Sequence, residues 1–319
     1  MGRSLITGGA GMLGKEIARL LLADNEDVTL LDVAPASRLP KDIRERVTLI
    51  RGDIANWAQV LEAVKTARPD TIYHVAAMMP PACEIDHAAG YAVNVGGTFN
   101  VLEAARLFDV GTIVYSSTTA TFGSELPEVV PNDYVQRPPT MYGTSKVCSE
   151  QLGLHYQRHY GLDFRAVRFL SILGPGRVRG SGWSAYTSLM MEETARGRAF
   201  TIQVADSLRL RFIYVKDAAL SLVQLARANA DALTTRVYNL DGFSASTQEL
   251  VNATRKNVPG AQITFEFDPD YQHVMETQYV CIQKQPDDSA ARADWDWHPH
   301  YTLDEAVRDL VEDIRGSLE

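Results

Sequence analysis

Ile6-Thr7-Gly8-Gly9-Ala10-Gly11-Met12-Leu13-Gly14 joins an apolar run ending at Leu5 and Ile6 to a helical pattern of Leu13, Ile17, Leu20 and Leu21. The order is strand, glycine turn, helix N-terminus. That geometry offers free backbone N–H groups, here those around Met12 and Leu13, and a positive dipole end to a pyrophosphate. Gly8 and Gly11 let the backbone turn and approach a phosphate where a Cβ would intrude. Gly14 lets the helix pack closely on the strand. The spacing is Gly-x-x-Gly-x-x-Gly rather than Gly-x-Gly-x-x-Gly, and taken alone it also fits an ordinary strand-to-helix turn.

A second strand, Val28-Thr29-Leu30-Leu31-Asp32, ends in an acid at the distance past Gly14 expected of a ribose-binding carboxylate. Asp32 would accept hydrogen bonds from both adenosine ribose hydroxyls and repel a 2′-phosphate, which selects NAD over NADP. Arg38 is the nearby basic residue that a 2′-phosphate would use.

The chain has 319 residues and is 45% hydrophobic, enough for a large core in one or two domains. Its net charge of −9, from 31 basic and 40 acidic residues, argues against nucleic acid or an anionic membrane as partner. No apolar run is long enough to span a bilayer. The chain enters a strand at once, leaving no room for a signal peptide, so a cytoplasmic protein is expected. Cys83, Cys148 and Cys281 read as reduced thiols rather than a disulfide framework or metal site. His155 and His159 have the spacing of a helical metal pair but no evident third ligand, so no metal is expected.

Strand and helix signals alternate through the first half. Strands are expected at Val47–Ile50, Thr71–Val75, Thr112–Tyr115 and Phe164–Phe169, and helices at about Trp57–Thr66, after Gly97, and through Val147, Gln151 and Leu154. The alternation predicts a doubly wound parallel sheet of Rossmann type, with ligands at the carboxyl ends of the strands. Residues 1–170 form the expected NAD-binding domain. From Gly174 the texture becomes irregular, and residues 171–319 read as a smaller substrate-binding lobe. One strand near 236–240 is expected to return to the main sheet, and an amphipathic helix, Leu303–Ile314, closes the chain.

Tyr142 and Lys146 stand one helical turn apart on one face. A free tyrosine has a pKa of about 10, and a nearby ammonium favours its phenolate; reaching about 7 takes roughly 4 kcal/mol of differential stabilisation. Tyr142 would then take a proton from a substrate hydroxyl, with Lys146 tuning it and holding the nicotinamide ribose. Thr118, at the end of the strand through Tyr115-Ser116-Ser117, would orient the reacting oxygen. Each element alone has a bland counterpart in an exposed helix pair or a locally satisfied hydroxyl. Together they favour chemistry.

With these residues placed, the chain resembles the extended short-chain dehydrogenases/reductases, the NAD-dependent epimerase/dehydratase family, over most of its length. The matching residues are Thr7–Gly14, Asp32, Gly52-Asp53-Ile54, Ala76-Ala77, Asn94-Val-Gly-Gly-Thr98, Ser116-Ser117-Thr118 and Tyr142-x-x-x-Lys146. The resemblance implies that Asp53 and Ile54 contact adenine and that Ala76 and Ala77 line the cofactor channel. It implies that Asn94 is structural or completes a proton relay, and that Ser116 lies on the cofactor side. It also implies a homodimer through a four-helix bundle built from the helices near 95–108 and 142–160.

Two sugar-nucleotide activities of that family are disfavoured. Dehydratases follow the catalytic Thr with Asp-Glu, where this chain has Thr119 and Ala120. Epimerases carry an Arg-Tyr-Phe-Asn segment, where this chain has Arg168-Phe169-Leu170-Ser171, and a diphosphate-binding Arg where it has Leu210. The segments Pro286–Trp297, Asn94–Arg106 and Tyr238–Ser244 are similar to short-chain-type L-threonine dehydrogenases. The stretch Gly176–Trp183 departs from the loop of those enzymes. Arg177, Arg179, Arg209 and Arg211 are the candidate anion-binding residues, since guanidinium suits a carboxylate or phosphate. Met78, Met79 and Trp183 would supply an apolar wall. The expected reaction is NAD-dependent oxidation of a secondary alcohol on a small hydroxy-acid, amino-acid or sugar-acid, with nucleotide-sugar 4-epimerisation as the alternative.

Overall fold

The computed structural model describes residues 2–177 and 182–316. Among these, the short apolar segments build a seven-stranded, all-parallel sheet. Its strands are β1 (Arg3–Thr7), β2 (Asp27–Asp32), β3 (Thr48–Arg51), β4 (Thr71–His74), β5 (Thr112–Thr118), β6 (Asp163–Phe169) and β7 (Val237–Asn239), in the order β7-β6-β5-β4-β1-β2-β3. The chain leaves β3 at one edge and crosses to β4 on the other side of β1. That reversal opens a crevice beyond the carboxyl ends of β1 and β4.

Side chains alternate across the sheet, and the two sets feed separate cores. Leu5, Ile72, Ile113 and Ala166 join one apolar cluster, whereas their neighbours Ile6, Tyr73, Val114 and Val167 join the other. The main helices are α1 (Met12–Ala23), α2 (Trp57–Ala67), α3 (Gly97–Leu107), α4 (Met141–Tyr160), α5 (Tyr186–Ala195), α6 (Val215–Arg227) and α7 (Leu303–Gly316). α1 and α6 pack together over the second cluster, and α2, α3 and α4 over the first.

Local chemistry sets the limits of α4, the helix that carries Tyr142 and Lys146. The Thr140 hydroxyl accepts from Gly143 N at 3.0 Å, and Gly161 ends the helix in the left-handed region at φ 71°. A π-helical turn, Ala92–Gly96, leads into α3, extending helical structure ahead of Gly97 where the sequence pattern starts it. β5 continues past Tyr115 to Thr118, placing the Ser-Ser-Thr hydroxyls on the strand itself.

Beyond β6 the chain builds smaller sheets. Arg209–Tyr214 pairs antiparallel with Phe243–Ser246 and parallel with Ser171–Leu173, and Phe200–Ile202 pairs with Ile263–Phe265. β7 returns from this region to extend the main sheet beside β6. No described helix is long and apolar enough to cross a membrane.

Candidate active site

A cavity of about 650 Å³ opens at the carboxyl ends of the central strands, between the main sheet and the later part of the chain. Its floor at one end is the glycine turn. Gly8 has φ +71°, and a Cβ there would come within 2.8 Å of the Ala76 backbone. A Cβ on Gly14 would meet the Gly8 carbonyl at 2.4 Å. The turn therefore closes only with glycine. Gly11 starts α1 with no side-chain cap, so the first-turn N–H groups of Met12 and Leu13 face the cavity unsatisfied by a cap. This is the donor set a pyrophosphate needs.

Asp32, at the end of β2, also lines the cavity. Its Oδ2 accepts from Ala10 N and its Oδ1 from Ala34 N, both at 2.9 Å, so the glycine turn itself orients the carboxylate. Each oxygen keeps capacity for a second donor, as two ribose hydroxyls require. Asp53 and Ile54 lie beyond it in the same wall. The Asp53 carboxylate is held by Ala55 N at 2.9 Å, and Asn100 donates to the Ile54 carbonyl at 2.9 Å. Ala76 and Ala77, after β4, also line the cavity. A dinucleotide fits this donor and acceptor set.

His74 anchors the junction of β1, β4 and α3. Its ring lies between Thr7 Oγ1 at 2.7 Å and Thr98 Oγ1 at 3.0 Å. Burial drives its pKa down to about 3, aided by the Lys146 charge, so the ring is neutral.

At the other end of the cavity stand Ser116, Thr118, Tyr142 and Lys146. The Lys146 ammonium donates to the Ser116 carbonyl at 2.8 Å and sits 4.5 Å from the Tyr115 ring and 5.7 Å from the Tyr142 ring. Burial lowers its pKa to about 7, opposed by the Glu150 carboxylate. Burial raises the pKa of the Tyr142 phenol well above the usual range, Cys83 adds to this, and the Arg177 charge opposes it. Thr118 Oγ1 accepts from Ala120 N at 3.1 Å and keeps its proton for another acceptor.

Asn94 lies behind the cavity wall rather than in it. Its Oδ1 accepts from Met78 N at 2.7 Å, and its Nδ2 donates to the Met78 carbonyl and to Ser145 Oγ on α4. It ties the segment carrying Met78 to the helix carrying Tyr142.

The candidate anion-binding arginines separate. Arg177 lines the cavity; Glu192 accepts from its backbone N at 3.1 Å, and its Nη2 donates to the Ile172 carbonyl at 2.8 Å. Arg179 lies outside the described residues. Arg209 and Arg211 do not line the cavity. Arg209 pairs with Glu249 at 2.9 Å, and Arg211 holds the Asp241 carboxylate through both Nε and Nη2. Those acids neutralise them locally, so the expected cluster of guanidinium groups does not assemble. Met78, Met79 and Trp183 line the cavity, and the Tyr271 hydroxyl donates to the Trp183 carbonyl.

Sequence reading missed three features. Glu84 accepts from Met141 N at 2.9 Å and from Tyr142 N at 2.8 Å, pinning the start of α4. The buried Glu150 forms a two-point ion pair with Arg168 behind Ser117. Tyr279 and Ile282, from late in the chain, line the cavity. None of these partners is joined by a local pattern. A buried acid on the Lys146 helix, at Glu150, is the one signal that spacing could have supplied.

Known proteins resemble this chain in sequence and in fold. The sequence pattern of the NAD dependent epimerase/dehydratase family matches residues 4–241. Mitochondrial L-threonine 3-dehydrogenase of Bos taurus is 31% identical over 312 residues, spanning 97% of this chain and 82% of its own. The holo form of a GalE-like L-threonine dehydrogenase from Cupriavidus necator superposes with a TM-score of 0.87 at 28% identity, covering 98% of this chain and 99% of that one. UDP-glucose 4-epimerase from Thermus thermophilus, in complex with NAD, shares the fold with a TM-score of 0.83 at 24% identity, covering 99% of each chain. The chain belongs to the NAD-dependent epimerase/dehydratase family, and is an extended short-chain oxidoreductase whose cofactor is NAD.

Proposed function

We propose that the protein oxidises the secondary alcohol of a small, carboxylate-bearing hydroxy acid or amino acid. NAD, when bound, supplies the hydride acceptor. Thr118 orients the substrate oxygen, Tyr142 takes its proton, and Lys146 stabilises the resulting phenolate charge. The L-threonine dehydrogenases among its relatives act on a substrate of this class.

The observation that carries this reading is the position of Arg177. This half-buried residue lines the cavity, and its charge is felt by Tyr142. Guanidinium is suited to a substrate carboxylate. A diphosphate-bearing sugar nucleotide would call on Arg209 or Arg211, and both are occupied by acids outside the cavity. An exposed apolar face on α3 and α4, with Phe99 and Tyr160, is the surface that would support a dimer.

The test is NADH production across a panel of L-threonine, 3-hydroxybutyrate, sugar acids and UDP-sugars. Steady NADH with a small acid supports the reading; epimer formation without NADH overturns it. With the acid so identified, Arg177→Ala raises KM by roughly 10- to 100-fold, the range for losing a charge-assisted hydrogen bond. An unchanged KM would remove Arg177 from the site. Asp32→Asn weakens NAD binding by roughly tenfold or more, since it loses carboxylate acceptance from ribose. Titration of the protein with NADH fluorescence checks this, and equal affinity would place the ribose elsewhere.

A further inference from the structure

Separate segments of the chain bring apolar side chains to the catalytic end of the cavity. Phe169 is the register partner of Thr118 across β5 and β6, and the chain runs on from it through Ile172. Ser171 Oγ donates to Ser184 Oγ at 2.7 Å, so the turn carrying Trp183 is fastened to the same segment. Asn94 ties Met78, and with it Met79, to Ser145 on α4, close to Tyr142. Met78, Met79, Ile172 and Trp183 all line the cavity. None of them is fully buried: Met79 is 36% exposed and the others are half-buried. A concave surface of this kind is where the apolar part of a ligand binds.

The polar groups at this end are few among the described residues, and most are taken. Thr118 and Tyr142 are assigned to the alcohol and Arg177 to the carboxylate. Ser171 and Ser184 bond each other, and Ser117 donates to Glu150. A polyhydroxylated chain would lay further hydroxyls against methionine, isoleucine and indole, where each gives up water without a replacement. An alkyl or aryl group gains by the same move, and a single methyl covers only a small part of the surface.

We propose that the substrate carries, on the side of its carbinol carbon away from the carboxylate, an alkyl or aryl group larger than methyl, received by Met78, Met79, Ile172 and Trp183. This rests on the reading of the cavity as a hydroxy-acid dehydrogenase site and names the part of the substrate that the reaction leaves unchanged. It sets this chain apart from relatives named for L-threonine, whose carbinol carbon bears a methyl. The same wall disfavours sugar acids.

The experiment uses NAD-loaded protein and probes that lack the alcohol and cannot react: butyrate, hexanoate and 3-phenylpropanoate. Calorimetry of the wild type is expected to give roughly tenfold or more tighter binding of the two larger acids than of butyrate. Met78→Ser combined with Met79→Ser is expected to lower that preference by roughly tenfold while changing butyrate affinity by less than about twofold. Met79→Ser alone, at the more exposed position, is expected to lower it by about threefold and serves if the double variant does not fold. Equal binding of all probes by the wild type would assign the open apolar surface to nicotinamide and overturn the proposal. Binding of none, an unchanged preference in the variants, or equal weakening of every probe would also overturn it.

NADH production from 3-hydroxybutyrate, 3-hydroxyhexanoate and 3-hydroxy-3-phenylpropanoate separates the two readings. No NADH from any of them, with the calorimetric preference intact, sinks the dehydrogenase reading and leaves the apolar subsite. Equal turnover of all, with equal binding of the probes, sinks the apolar subsite and leaves the dehydrogenase.

Discussion

Tyr142→Phe lowers the rate of alcohol oxidation by roughly a thousandfold, within the range that a positioned acid or base contributes, while NAD affinity changes by less than about threefold. The phenylalanine ring keeps the shape of a residue only 8% exposed, and the backbone at this position stays fixed by Glu84. Only the proton acceptor is lost. In the wild type the rate rises with pH on the alkaline side, because burial holds Tyr142 protonated and the reaction needs the phenolate. The Arg177 charge works in the opposite sense and eases the ionisation. In the variant this limb of the profile disappears. Stopped-flow measurement of NADH formation across pH checks both statements. A variant within about tenfold of wild type would show that another group takes the proton. It would also favour a cofactor-binding sensor that keeps its function without the hydroxyl.

The second large effect is on stability. Arg168→Met is expected to destabilise the protein by about 3–5 kcal/mol, because it strands the Glu150 carboxylate in the core. The pair is thoroughly desolvated, with side chains 8% and 0% exposed. Arg168 Nε and Nη2 reach the two carboxylate oxygens at 2.9 and 2.7 Å, and Gln136 and Ser117 complete the set. Glu150→Leu combined with Arg168→Met removes both charges together and is expected to recover at least about half of the loss. Urea unfolding of the two variants tests this. A single-variant effect below about 1 kcal/mol would mean that the carboxylate is protonated or rehydrated at little cost. Glu150 also pulls the Lys146 pKa back up against burial.

Much of this is legible in the residues alone. Leu5 and Ile6, or Ile113 and Val114, are adjacent apolar residues that face opposite cores, as the continuous hydrophobic runs of a doubly covered parallel sheet require. The phosphate cradle is legible because it is built from consecutive residues whose geometry only glycine permits. Tyr142 and Lys146 are legible because helical periodicity alone puts them on one face. Asp32 is legible because a strand end and a turn fix its distance from Gly14.

The arginines mark the limit of that reading. Arg177, Arg209 and Arg211 are alike in sequence, yet only Arg177 reaches the cavity. The difference lies in Glu249 and Asp241, acids brought opposite Arg209 and Arg211 by the antiparallel pairing of Arg209–Tyr214 with Phe243–Ser246. Glu84 at the start of α4, Glu150 against Arg168, and Tyr279 in the cavity wall were likewise decided by contacts between distant segments. By itself the sequence determined the sheet, the cofactor and the shared helix face of Tyr142 and Lys146, because each rests on backbone geometry repeated over a few residues. The tertiary structure alone decided which arginines line the cavity, because the acids that meet Arg209 and Arg211 come from other segments of the chain, and nothing local encodes those partners.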